Sequence, residues 1–284
     1  MGAGHGRDPV DESSDKVNAD GPGRRRLLHA QAMSDRDDCL PPARWESWNP
    51  VTGCTKVSEG CRHCYAERFA ERWRGIAGHH YERGFDLQLR PERLELPLHW
   101  RRPRRVFVDS MSDLFHEGIP DDYVRAVFAV MERAPQHVFH VLTKRPERLL
   151  ALAPSLPWPA NVWMGVTIES GRYAARADAL RRVPAAIRHV SAEPLLGPLD
   201  ALDLTGIDLV IAGGESGPGR RPPRPDWLRG LRDRCLAAGV AFTFKGWGGA
   251  AQATGGRMLD GREWQESPPS ATTGDGTPAQ GALF

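Results

Sequence analysis

The stretch Leu209-Val210-Ile211-Ala212-Gly213-Gly214-Glu215-Ser216-Gly217 decides the fold. Its four consecutive apolar residues predict a strand that is buried on both faces, as strands of a parallel sheet are. Glycines and polar residues follow at once and predict a loop. Val106-Phe107-Val108 followed by Asp109-Ser110 has the same pattern. We therefore expect an α/β protein whose strands lead into polar loops.

Apolar strands and helical stretches alternate over residues 44–266, which indicates parallel strands joined by right-handed crossovers. Eight strands suggest a (β/α)8 barrel or an incomplete TIM-type barrel, and an open doubly wound sheet is the alternative. The candidate strands are Trp48–Thr52, Phe85–Leu89, Val106–Ser110, His137–Thr143, Val162–Thr167, Arg188–Ala192, Leu209–Ala212 and Val240–Phe244. The candidate helices are Ala66–Ile76, Asp121–Arg133, Pro146–Leu152, Gly171–Arg182 and Asp226–Ala238.

The two ends of the chain are polar and lack hydrophobic periodicity. We expect residues 1–43 to be a disordered leader and residues 267–284 a disordered tail. The leader has no apolar core of the kind that a signal peptide needs. No apolar run is long enough to span a bilayer, so we expect no membrane partner. A cytoplasmic location with reduced thiols follows as the expectation.

Three of the five cysteines, Cys54, Cys61 and Cys64, lie within eleven residues. The Cys61-x2-Cys64 spacing lets two thiolates hold one centre from a tight turn, and Cys54 precedes them across a loop. Three thiolates suit a [4Fe–4S] cluster with one iron left open. The alternative is zinc, with His63, His79 or His80 closing the site as a fourth ligand.

Polar or glycine-rich segments follow the predicted strands where the strands end. The carboxyl ends of parallel strands meet at one edge, so these groups and the cysteine loop are expected to surround one mouth. Arg outnumbers Lys by 34 to 4, so a retained Lys at a strand end suggests a need for a compact ammonium. The residues singled out here are Asp109, Ser110, Ser112, Lys144, Glu193, Gly213, Gly214 and Lys245.

Net charge is only +2, but arginines cluster at 101–105 and at Arg220, Arg221 and Arg224. Such clusters, together with tryptophans that stack on bases, permit nucleic-acid binding. The alternative is an ordinary solvated face for the arginines and a core position for the tryptophans. The tryptophans considered are Trp45, Trp48, Trp73, Trp227 and Trp247.

A three-cysteine loop after the first strand of a barrel resembles the radical S-adenosylmethionine superfamily. The usual pattern there is Cys-x3-Cys-x2-Cys, whereas this chain has Cys-x6-Cys-x2-Cys. The chain resembles more closely the phage-derived family Gp thirty-seven/Gp sixty-eight, whose function is unassigned. The similar segments, over about 45–266, include Trp48–Ser58, Cys61 with Cys64–Ala66, Val108–Phe115, Leu142–Pro146, Ser191–Gly197, Gly213–Gly217 and Lys245–Gly249.

The resemblance implies an enzyme in which S-adenosylmethionine binds the open iron and yields a 5′-deoxyadenosyl radical. It implies an electron donor such as flavodoxin or ferredoxin, and nucleic acid is the substrate hypothesis. His63 and Tyr65 would lie at the cofactor, and Asp109, Ser110, Ser112, Gly213 and Gly214 would contact it. Lys144, Glu193 and Lys245 would hold its carboxylate or the substrate.

Two alternatives remain open at this point. One is a zinc-binding nucleic-acid-binding or interaction module without catalysis. The other is a zinc hydrolase with Glu193 or Glu215 as its base.

Overall fold

The computed structural model describes residues 44–250 and 255–268. The predicted leader 1–43, and the predicted tail from residue 269 onward, lie outside the described residues. Among the residues that the structure describes, none of the helices is both long and apolar enough to cross a bilayer.

A seven-stranded, all-parallel sheet forms the centre of the described chain and curls into a half-barrel. Its strands follow one another in the order β1-β4-β5-β6-β7-β8-β9. This confirms the predicted incomplete TIM-type barrel. The strands are β1 Arg44–Trp48, β4 Arg104–Val108, β5 Val138–Thr143, β6 Val162–Thr167, β7 Ile187–Ala192, β8 Leu209–Gly213 and β9 Ala241–Gly246.

Two short antiparallel pairs lie beside this sheet. One joins β2 Val51–Thr52 to β3 Gln88–Leu89, and the other joins β10 Met258–Leu259 to β11 Arg262–Glu263. The candidate strand Phe85–Leu89 was therefore wrong as a barrel strand, because only its last two residues pair and they pair with β2. The first barrel strand runs from Arg44 to Trp48 and shares only Trp48 with the predicted strand Trp48–Thr52, whose last two residues form β2.

Within residues 44–250 and 255–268, five α-helices connect the strands, and several 3-10 turns complete the connections. Gly171–Arg182 was predicted as one helix, but it consists of a 3-10 turn followed by a shorter α-helix. The α-helices are α1 Tyr65–Glu71, α2 Asp121–Arg133, α3 Pro146–Leu152, α4 Arg176–Arg181 and α5 Pro225–Ala238. The 3-10 turns are Glu59–Cys61, Pro91–Arg93, Leu96–His99, Ala153–Ser155 and Gly171–Tyr173.

Alternate residues of each strand point to opposite faces of the sheet. Val106, Val141 and Met164 belong to the main core cluster, which also contains the buried residues of α2 and α5. Trp163 and Ile211 belong to a second, smaller cluster on the other face. Both faces are apolar, and all carboxyl ends of the seven strands lie at one edge.

Candidate functional site at the carboxyl edge of the half-barrel

The cysteine loop begins directly after β2 and is fastened to the loop that follows β4. The Gly53 N–H donates to Met111 O (2.9 Å), and Ser112 Oγ donates to Gly53 O (2.6 Å). Gly53 has φ +86°, and a Cβ there would lie 2.2 Å from Asp86 O. Only glycine satisfies both conditions, so the chain turns here and carries Cys54 to the carboxyl edge.

Cys54, Cys61 and Cys64 are free thiols of intermediate exposure on this loop. Cys61 ends the turn Glu59–Cys61, and Cys64 precedes α1. Burial, together with the nearby charge of Asp113, raises the pKa of the Cys54 thiol to about 12. Burial also raises the pKa of Cys64, while Lys144 acts in the opposite direction. A metal centre would therefore displace protons from at least two of these thiols.

The three cysteine sulfurs can be compared with what a zinc ion and a [4Fe–4S] cluster each require. In residues 44–250 and 255–268, no three Cys, His, Asp or Glu side chains lie close enough together to hold one metal ion. Tetrahedral zinc at about 2.3 Å from each sulfur brings its sulfurs within roughly 4 Å of one another. A cluster of four irons is wider and takes thiolates from farther apart. Three thiols on one loop are the donor set that a [4Fe–4S] cluster with one open iron uses.

Arg145 holds the Cys54 end of the loop. Its side chain is buried (4% exposed), and Nη2 lies 3.7 Å from Cys54 Sγ. The same Nη2 donates to Thr55 O (3.1 Å) and to Thr55 Oγ1 (2.9 Å). His116 Nε2 is also 2.9 Å from Thr55 Oγ1. A buried guanidinium beside Cys54 stabilises negative charge on that sulfur.

Asp113 organises the end of β5 from the neighbouring loop. Its Oδ1 accepts from Thr143 Oγ1 (2.7 Å), and its Oδ2 accepts the Lys144 N–H (3.0 Å). Arg145 Nε lies 4.0 Å from Asp113 Oδ2. These contacts fix the backbone from which the Lys144 and Arg145 side chains extend.

The three predicted catalytic side chains lie on the ends of β5, β7 and β9. Lys245 Nζ is 3.3 Å from Glu193 Oε1, and Ser191 Oγ donates to Glu193 Oε2 (3.2 Å). Lys144 Nζ donates to Thr167 Oγ1 (3.3 Å). Two ammonium groups and one carboxylate therefore lie at this edge, where they can bind a zwitterion or an anion.

Electrostatic coupling connects this group of charges to the cysteine loop. Lys144 affects the pKa of Cys64. Burial of its hydroxyl raises the pKa of Tyr65, and negative charge at Cys64 and Glu193 raises it further. The Tyr65 hydroxyl donates to Ser110 O (2.5 Å), although 57% of the residue is exposed. Cys64, Tyr65, Lys144 and Glu193 therefore lie near one another at the carboxyl edge.

The other predicted cofactor contacts are engaged within the protein. Asp109 is buried (4% exposed) and accepts the Val51 N–H (3.0 Å). Ser110 Oγ donates to Asn49 Oδ1 (3.1 Å), and Ser112 holds Gly53. Their observed role is to join the loop after β4 to the cysteine loop. His63 lies against the loop after β8, where a Cβ on Gly219 would be 3.2 Å from its ring.

Gly213 and Gly214 allow β8 and β9 to end in close contact. A Cβ on Gly214 would lie 2.1 Å from Trp247 O, and one on Gly213 would lie 3.1 Å from Glu193 Oε1. The Gly214 N–H donates to Gly246 O (2.9 Å), and Gly213 O accepts the Leu195 N–H (2.9 Å). These two backbone groups are therefore already paired, and the glycines serve close packing.

The sequence did not predict which side chains hold the cysteine loop in place, and it indicated Arg221 only as part of an arginine cluster. Arg145 and Glu169 are buried, and Arg221 donates to Glu59 O (2.9 Å) while it binds Glu215 through Nη2 and Oε1 (2.6 Å). Arg68 donates to Ser216 O (3.0 Å) from α1. Arg145, Glu169 and Arg221 are charged residues in polar loops and Arg68 lies on α1. Nothing in one sequence distinguishes them from surface residues.

The two arginine clusters have different positions. The run 101–105 lies at the amino end of β4, at the edge opposite the cysteine loop, and its Arg104 pairs with Glu46. Arg220 lies on the loop after β8 beside His63 and is exposed. Of the tryptophans, Trp48 is buried in the core (1% exposed), whereas Trp73 is exposed and stacks on His79 at 4.1 Å.

Comparison with known proteins gives one match. A family model described as "Protein of unknown function (DUF5131)" matches residues 44–268. No curated protein and no solved structure matches the chain.

Proposed function

We propose that this chain, which belongs to the DUF5131 family, is an iron–sulfur enzyme of the radical S-adenosylmethionine type. One observation carries the proposal. Three free thiols occupy a single loop at the carboxyl edge of a curled parallel sheet, and the Lys144 ammonium at that edge acts electrostatically on Cys64. In parallel barrels this edge is where catalysis takes place.

Cys54, Cys61 and Cys64 would hold a [4Fe–4S] cluster and leave one iron for S-adenosylmethionine. Such a cluster, reduced by a donor such as flavodoxin or ferredoxin, would supply one electron for cleavage of the sulfonium C–S bond of S-adenosylmethionine, which gives methionine and a 5′-deoxyadenosyl radical. Three thiolates add negative charge, and the Arg145 guanidinium offsets part of it at Cys54. Lys144 does the same for Cys64.

The chain's own residues then bind and orient the reactants. Lys144 and Lys245 would bind a carboxylate or phosphate group, while Glu193 holds Lys245 in position and accepts from an amino group. His63 and Tyr65 precede and follow Cys64 in the chain and would contact the cofactor. Asp109, Ser110, Ser112, Gly213 and Gly214 would act through the loops that they connect, since their polar groups are largely engaged there.

Nucleic acid is the substrate class that we propose, for modification or repair. Arg172 and Arg220 are exposed on the loops after β6 and β8 that flank the cysteine loop. Within the described residues, neither has a carboxylate partner within 4 Å. Guanidinium groups without such partners are available to phosphates, which dominate the affinity of proteins for nucleic acids.

Anaerobic reconstitution with iron and sulfide tests the proposed function. We expect a brown protein that absorbs near about 400 nm and binds roughly four irons per chain. Addition of S-adenosylmethionine and a reductant should release 5′-deoxyadenosine. Changing Cys54, Cys61 or Cys64 to Ala should abolish this product. Cys235→Ala is the matched control, because Cys235 is buried in α5 and away from the loop.

A different metal content would overturn this proposal. A colourless protein with one zinc per chain, unable to bind S-adenosylmethionine, would support a zinc-binding interaction module instead. Equal loss of iron in the Cys235→Ala control would show that the loop cysteines have no special role.

A further inference from the structure

Glu169 is a fully buried carboxylate (0% exposed) at the end of β6. Its Oε2 accepts from Arg176 Nη1 at 2.8 Å. Arg176 Nη1 also donates to Thr167 O (2.7 Å), and its guanidinium carbon lies 4.2 Å from the centre of the Tyr173 ring. The Glu169 carboxylate is therefore paired with the Arg176 guanidinium, which other contacts hold in position.

The other carboxylate oxygen faces the cysteine loop. Glu169 Oε1 accepts a hydrogen bond from Ser58 Oγ. Ser58 Oγ lies 3.7 Å from Cys61 Sγ. A serine hydroxyl has one hydrogen, and Ser58 donates it to Glu169. In the metal-free protein, Ser58 Oγ therefore accepts from the Cys61 thiol.

The loop backbone also packs directly on this carboxylate. A Cβ on Gly60 would lie 2.4 Å from Glu169 Oε1, so only glycine fits at position 60. Glu59, the residue before Gly60, is also held by residues that follow β6. Glu59 N lies 3.4 Å from the Tyr173 hydroxyl, and Ser170 Oγ donates to Glu59 Oε1 (3.1 Å).

We propose that Glu169 is a positioning residue that acts through Ser58 to fix the place of Cys61 in the three-cysteine loop. The inference rests on the proposed function, since it treats Cys61 as a ligand. Cys54 is held independently by Arg145, so loss of Glu169 affects one cysteine and spares the other.

Alkylation of the metal-free protein by iodoacetamide, followed cysteine by cysteine with mass spectrometry, tests this inference. Ser58→Ala and Glu169→Gln should each raise the Cys61 rate about fivefold relative to Cys54, the effect of losing one hydrogen bond that closes the loop. The double variant should show about the same increase and not the product, because the two residues act in series.

Glu67→Gln is the matched control, since Glu67 binds the loop through Lys56 (2.8 Å) and not through Ser58. It should leave the Cys61 to Cys54 ratio unchanged. Equal acceleration at both cysteines, or independent effects of the two substitutions, would overturn the proposal. If Glu169→Gln does not fold because Arg176 loses its partner, Ser58→Ala still decides the question, as its rate ratio must rise.

Iron loading of the same variants separates this inference from the proposed function. If the wild-type protein takes up the cluster, the electron paramagnetic resonance spectrum of its reduced form should change in Ser58→Ala and stay the same in Glu67→Gln. If the wild-type protein binds no iron but shows the alkylation pattern, the proposed function fails and the positioning role stands.

Discussion

Asp109 supports the candidate site from a buried position, where its carboxyl group keeps its proton to a higher pH than an exposed Asp does. The residue has φ +54°, in the left-handed region that Asp and Asn tolerate best among residues with a side chain. Burial raises the pKa of Asp109 well above its ordinary value near 4, and the charge of Asp113 adds to this effect. The Val51 N–H bond acts in the opposite direction but is the smaller effect.

The raised pKa of Asp109 predicts a pH dependence of stability. As pH rises from about 4 toward this pKa, the unfolded chain releases the proton that the folded protein keeps. The free energy of unfolding then falls by up to about 1.4 kcal/mol per pH unit. Asp109→Asn keeps the acceptor for Val51 and removes this fall. Urea unfolding of both proteins between about pH 5 and pH 8 measures the difference.

A difference between the two proteins that stays constant with pH would show that Asp109 is ionised in the fold. Asp86→Asn provides the control. Asp86 is exposed, and its hydrogen bond with Arg74 lowers its pKa, so it is charged in both states over this range. Its difference from the wild-type protein should not vary with pH.

Residues at the mouth were predictable to unequal degrees. Lys144 and Lys245 stood out because the sequence otherwise uses Arg, and both lie at the carboxyl edge. Lys56 is also one of the four lysines, but it lies on the cysteine loop and forms an exposed ion pair with Glu67. Glu169 could not be found in this way, since burial and the partner Arg176 arise only from the packing of β6 against its own connection.

Strands were predictable where both faces are covered. Val162–Thr167 is buried at every position, and its predicted bounds are those of β6. β1 begins with alternating charged and aromatic residues at the edge of the sheet, where pairing with β4 on one side decides its extent. Phe85–Leu89 had a similar composition, but its partner is the two-residue strand β2 and not a neighbour in the barrel. Partner choice is a tertiary property that the local pattern does not contain.

Helix α5 follows the loop after β8, and substitutions at two glycines test where the helix ends. Gly230 lies within the helix, whereas Gly239 follows it at φ +66°, and a Cβ at either position meets no atom within 4 Å. Gly230→Ala should stabilise the protein by up to about 1 kcal/mol, because Ala has the higher helix propensity. Gly239→Ala should destabilise it by about 1 kcal/mol, because the left-handed conformation strains Ala.

Thermal or urea unfolding of the two variants provides the comparison. The substitutions add the same methyl group in open space, so effects of opposite sign isolate the backbone conformation as the cause. Stabilisation by both substitutions would show that the helix continues past Ala238. Destabilisation by both would show that α5 ends before Gly230.

Exposed arginines lie at both ends of the half-barrel. The carboxyl edge holds the three cysteines, Lys144, Lys245 and the exposed Arg172 and Arg220. The opposite edge holds Arg101 and Arg102, which are also exposed. If arginine content alone produced nucleic-acid binding, both edges would contribute equally. A substrate that reaches the cysteines must instead contact the carboxyl edge.

Single-stranded nucleic acid should therefore bind at the carboxyl edge with an affinity that falls steeply as salt rises. Each phosphate contact contributes about 0.7 to the slope of log K against log salt for single strands. Arg172→Ala with Arg220→Ala should lower affinity and reduce this slope by about 1.4, twice the contribution of one contact. Arg101→Ala with Arg102→Ala, the matched pair at the other edge, should leave the affinity and the salt slope unchanged.

Fluorescence anisotropy with a labelled oligonucleotide at several salt concentrations measures the affinity and the salt slope. Equal losses in the two double variants, or binding that does not depend on salt, would count against nucleic acid as the substrate.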